Sequence, residues 1–76
     1  MSTNYAALNE VTRGCVFRLV NVQTERCACY YGGGSIIIYD LAGGHVDTVS
    51  APYFGGNVVV RRKALELLGK GVCDAD

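Results

Sequence analysis

The sequence lacks a long hydrophobic run, an excess of charge of either sign, any internal repeat and any stretch of linker composition. No apolar run approaches the roughly 18 residues of a membrane-spanning helix. The segment "MSTNYAALNEVTRG" has no basic start and no greasy core, so it does not read as a secretory signal. The expected location is therefore the cytoplasm, with no membrane partner. Seven basic residues balance seven acidic ones. A dedicated nucleic-acid binder normally carries a positive excess that displaces phosphate counterions, so neutrality weighs against that class. It does not remove it, because Arg61, Arg62, Lys63 and Lys70 sit close together with only Glu66 among them.

Half of the 76 residues are apolar and 18% are charged, a globular composition. One domain, 1–76, is the sensible count. A chain this short buries only about 60% of its unfolded surface, so its stability margin is thin. Its apolar content is rich for a small monomer, and part of it can cover a partner or a second copy in a homodimer.

Glycines cut the chain into short segments. In Thr3–Arg13, Tyr5, Leu8, Val11 and Thr12 share one helical face, and Gly14 offers a left-handed cap. "CVFRLVNVQT" (15–24) is rich in strand formers. Its inward face is ambiguous, since Val16, Val20 and Val22 share one parity and Phe17 and Leu19 the other; it reads as a strand that can be buried on both sides. "RCACYY" follows after a turn near Thr24–Glu25. "SIIIYDL" (35–41) is the clearest strand, its three isoleucines stiff at χ1. "AGG" turns the chain into "HVDTVS" (45–50), a hairpin. "APYFGGN" is a loop. Beyond it, Val60, Ala64, Leu67 and Leu68 form a helical stripe with Asn57 as its expected N-cap and Gly69 as its end; Val58–Val60 could instead form a strand. The expected fold is α+β: an antiparallel sheet of about four strands, with an N-terminal and a C-terminal helix packed on its apolar face in two layers, and a frayed tail at 72–76.

The four cysteines invite a zinc reading, with Cys27, Cys29, His45 and either Cys15 or Cys73 as ligands. Structural zinc knuckles space their cysteines C-x2–4-C, and here the pair is C-x-C. On an extended strand those thiols stand about 6–7 Å apart. The competing reading is two small buried hydrophobes. A disulfide from Cys15 to Cys27 or Cys29 is feasible across neighbouring strands, but a cytoplasmic location opposes it. Cys73, in the expected frayed tail, is the thiol expected to be exposed. Cys27 or Cys29 with His45 and Asp47 gives a nucleophile, base and orienting carboxylate on paper, His45 and Asp47 sharing strand parity. A domain this small has little means of building the oxyanion hole and dry pocket that such a set requires. "YYGGGS" lacks the phosphate-loop order and precedes a strand, while "YFGGN" before a helix start is the better anion loop, though a weak signal. Neither an enzyme nor a cofactor is expected.

Two binding readings remain. Tyr30, Tyr31, Tyr39, Arg18 and Arg26 could stack and pair with single-stranded nucleic acid on a sheet face, although no RNP-like motif is present. The favoured reading is a protein-contact module, because tyrosine, phenylalanine and arginine are enriched in interface cores. Its expected contact residues are Tyr30, Tyr31, Tyr53, Phe54, Arg61, Arg62 and Lys63. Compact, motif-free chains of this kind are similar in style to inhibitors and regulators that phages and other mobile elements encode. That likeness rests on size and absence of motif alone. It implies a host or cognate protein as partner.

Overall fold

The computed structural model describes residues 5–69 in full and the backbone of 72–74. The fold is α+β. Helix α1 (Ala6–Val11) leads into β1 (Phe17–Asn21), β2 (Arg26–Tyr30), β3 (Ser35–Asp40) and β4 (His45–Ser50), followed by α2 (Gly56–Leu68) and β5 (Val72–Asp74). One antiparallel sheet has the order β4-β3-β2-β1-β5. The first four strands form a meander whose short turns match the glycine and polar breaks between them. Of the expected first helix 3–13, the described part forms α1 and a turn, and Thr3 lies outside the described residues.

Strand parity explains the layers. Phe17 and Leu19 of β1, Ala28 of β2, and Ile36 and Ile38 of β3 pack with Val60, Ala64 and Leu68 of α2. Val20 and Cys27 have the opposite parity and pack with Leu8 of α1, joined by Tyr5, Tyr39 and Leu41. The helices thus cover opposite faces of the sheet, not one apolar face in two layers. The mixed parity of "CVFRLVNV" is the cause. β1 has apolar residues on both sides, and each side needs cover. Fully burying a side chain such as Leu8, Leu19, Ile36 or Val60 contributes about 1.5–3 kcal/mol.

Two glycines are demanded by close approach. Gly43 (φ +91) in the β3–β4 turn backs onto α1, where a Cβ would stand 3.0 Å from the Ala7 carbonyl oxygen. Gly55 (φ +100) is the residue before α2, and a Cβ there would overlap the Val59 side chain at 2.2 Å. Helix α2 therefore starts on a left-handed glycine with no side-chain cap, and Asn57 lies inside its first turn. The expected Asn57 cap is corrected on this point. Val58–Val60 is helical, and Gly69 ends the helix, its amide donating to the Leu65 carbonyl at 3.1 Å.

Asn21 joins three elements. It is fully buried. Its Nδ2 donates to the Leu68 carbonyl at 2.8 Å, one of the acceptors that a helix C-terminus leaves without an internal partner. Its Oδ1 accepts from the amides of Gln23 (2.9 Å) and Thr24 (3.3 Å), which closes the β1–β2 turn. The turn passes through Glu25 at φ 57.

The expected frayed tail is also corrected in part. Val72–Asp74 pairs with β1, in the register Leu19↔Asp74, Val20↔Cys73 and Asn21↔Val72. The remainder of that tail lies outside the described residues.

Candidate partner-contact surface

Pro52 and the glycine pair Gly55–Gly56 keep 51–55 out of regular structure and push its aromatic pair into solvent. Tyr53 is 91% exposed and Phe54 81%. Their rings sit edge to face, centroids 5.1 Å apart, so each supports the other in the open. The first turn of α2 then presents Val58, 70% exposed. Val58, Arg62 and Leu65 recur at helical spacing and are all exposed, forming an outer stripe opposite Val60, Ala64 and Leu68. An exposed apolar group of this kind, carrying a guanidinium, has the composition of an interface core. Val58 and Leu65 escape a sequence reading that takes Val58–Val60 as a strand candidate. Their spacing with Arg62 is the signal that finds them.

The seven expected contact residues divide. Tyr53, Phe54 and Arg62 stand in solvent. Tyr30 is half-buried against the α2-side core, its ring 5.5 Å from that of Phe17. Arg61 lies over the other part of that assembly, its guanidinium carbon 5.8 Å from the Phe17 centroid. Lys63 is half-buried, one helical step beyond Arg62 and so turned to the opposite flank from Arg61. Tyr31 has a structural part to play: its hydroxyl donates to the Val11 carbonyl at the end of α1 and stands 3.4 Å from the Tyr39 hydroxyl. Burial, and then hydrogen bonds with Cys29 and Tyr39, push its phenol pKa up.

The sheet does not present a single aromatic and basic face. Tyr30 and Arg26 belong to the α2 side by strand parity. On the α1 side, Tyr39 packs against the Leu8 cluster. Arg18 there donates to Asn9 Oδ1 at 2.5 Å and to Thr12 Oγ1 at 3.1 Å. The five residues of the nucleic-acid reading are thus split by two helices.

The cysteine readings separate as well. Cys15, Cys27 and Cys29 are free thiols. Cys27 and Cys29 are fully buried on the α1 side. Burial pushes Cys27 up to about 11, and Cys29 up to about 12 against a lowering hydrogen bond from Tyr31. Both are poor nucleophiles in that state, since the thiolate is the reactive form. His45 is exposed on the far edge strand, Nε2 2.7 Å from Thr48 Oγ1 and its ring edge-on to Tyr39. The β3–β4 ladder pairs Ile38 with Asp47 and Tyr39 with His45, leaving Val46 as an extra residue. That bulge sets His45 and Asp47 on opposite faces, which corrects their expected alignment. Among the described residues, no group of three His, Cys, Asp or Glu side chains could hold a metal ion. The Cys73 side chain lies outside the described residues. "YYGGGS" is the bend between β2 and β3, with no helix behind it. Among the described residues, no helix is long and apolar enough to cross a membrane.

Comparison with protein-family models, with curated proteins and with solved structures finds no match.

Proposed function

We propose that this chain is a non-enzymatic binding module of the cytoplasm that acts by protein–protein contact, as an inhibitor or regulator of a host or cognate protein of the kind that phages and other mobile elements encode. The observation that carries the reading is the exposed aromatic pair Tyr53–Phe54, continued by Val58 and Leu65 on the outer stripe of α2. Leaving two large rings this open offsets none of the chain entropy of folding, whereas covering them on a partner contributes about 1.5–3 kcal/mol for a ring such as Phe54. Arg62, one helical turn beyond Val58 on the same stripe, supplies a charged anchor that can meet a carboxylate at the rim.

The reading is tested by affinity capture from extracts of the source cells, with quantitative mass spectrometry of wild type beside Tyr53→Ala, Phe54→Ala and Arg62→Glu. These positions are exposed, so the variants keep the fold. A partner captured by wild type and reduced about tenfold or more by Phe54→Ala supports it, since ~1.4 kcal/mol is tenfold in affinity. Equal capture by all four chains removes the site, and binding of single-stranded oligonucleotide that falls steeply with salt replaces the protein partner with nucleic acid.

A further inference from the structure

β4 is the longer edge of the sheet; β5, at the other edge, has three residues. Neither helix covers β4, and all of its residues except the half-buried Val49 are exposed. A six-residue edge open on both faces is a ready template for another strand. Its bonding direction alternates. The Ala51 amide donates to the Gly34 carbonyl at 2.9 Å. Ile36↔Val49 and Ile38↔Asp47 continue that register. Val49 and Asp47 therefore bond inward to β3, while Thr48 and Ser50 turn their N–H and C=O groups outward.

The Thr48 amide is not open. Asp47 Oδ1 accepts its hydrogen at 2.8 Å. Two copies of β4 meeting antiparallel about a two-fold axis would form bonds only where outward-facing residues meet outward-facing ones. Two registers satisfy this over nearly the whole strand. One pairs Thr48 with Thr48 of the second copy and sets Asp47 opposite the copy's Val49. The other sets Asp47 opposite Asp47, like charge against like charge, and pairs Thr48 with the bulged Val46. Both need the Thr48 amide that the carboxylate occupies.

We infer that Asp47 holds the β4 edge closed to a second copy of this chain, by occupying the Thr48 amide at the centre of the pairing registers. The Val46 bulge adds to this by breaking the ladder at the strand's start. An apolar residue at position 47 would free the amide and place a β-branched pair opposite Val49 of the second copy.

The test uses the full chain and its variants Asp47→Val, Asp47→Thr and Asp47→Asn. It combines sedimentation velocity from micromolar to millimolar concentration with hydrogen–deuterium exchange read at the Thr48 amide. Asp47 is exposed, so the fold tolerates all three. Asp47→Val and Asp47→Thr are expected to associate with concentration and to slow Thr48 exchange at least about tenfold between the lowest and the highest concentration, as a paired amide is protected over an open one. Asp47→Asn keeps an oxygen acceptor and is expected to exchange as wild type does. Fast Thr48 exchange in both Asp47→Val and Asp47→Thr at every concentration overturns the inference. So does Thr48 protection in wild type that rises with concentration, and so does pairing by Asp47→Asn, which would assign the effect to charge instead of the occupied amide.

Discussion

Replacing Asn21 with alanine removes the one side chain that ties β1, its turn and the end of α2 together. The Leu68 carbonyl loses its donor at 2.8 Å. An acceptor left unpaired there costs about 1–3 kcal/mol. The amides of Gln23 and Thr24 lose their acceptor, but they sit in an exposed turn that water reaches, so each costs about 0.5 kcal/mol. The sum is about 3 kcal/mol. A domain of this length holds about 4–11 kcal/mol in total, so the loss is a large share of it. On the scale of small domains it lowers Tm by about 15 °C. Urea titration at pH 7 reads the same quantity as a shift in midpoint with unchanged slope. Asn21→Asp sharpens the test, because it keeps the acceptor for the turn and puts a carboxylate oxygen against the Leu68 carbonyl. It should destabilise at least as much as alanine. A loss below about 1 kcal/mol in both variants would refute the three-way tie.

The buried thiols predict a fall in stability at alkaline pH. Their folded values, about 11 and about 12, lie above the ordinary 9.0, so the unfolded chain releases these protons first. The stabilisation is full below pH 9 and is lost as pH rises through the folded values; by pH 10 the loss is about 1–2 kcal/mol for each thiol, and Cys27→Ala/Cys29→Ala should flatten that part of the profile. Gly43→Ala forces a side chain into the left-handed region and against the α1 backbone, where the Ala7 carbonyl cannot move aside. It should cost about 1–3 kcal/mol by thermal melting, and a neutral result would mean that α1 does not press on that turn.

Local patterns made the meander legible. Ile36–Ile38, the "AGG" turn and the alternating segments around it encode β2, β3 and β4 within a residue or two, because β-branching and glycine act through neighbours in the chain. β1 announced two covered faces through its mixed parity, but a strand with apolar residues on both sides cannot say which helix lies where. β5 is three residues long and exists by pairing with β1, so nothing local marks it. The start of α2 escaped for a related reason: a polar cap at Asn57 is the usual device, whereas this helix begins on Gly55 under Val59. At the surface, Tyr53 and Phe54 were legible from their Pro and Gly neighbours. Tyr30 and Tyr31 were not, since adjacent residues face opposite sides and only the packed helices show what each meets. The Val46 bulge is likewise a property of the ladder and not of the letters, and it alone separates His45 from Asp47.

The most direct measurement of the contact surface is site-specific photo-crosslinking in the source cells, with a photoreactive amino acid at position 54 in one chain and at position 48 in another. A covalent adduct with another protein at 54, and none at 48, is the predicted result. Adducts at 48 with none at 54 would move the interface to the β4 edge and contradict the aromatic surface.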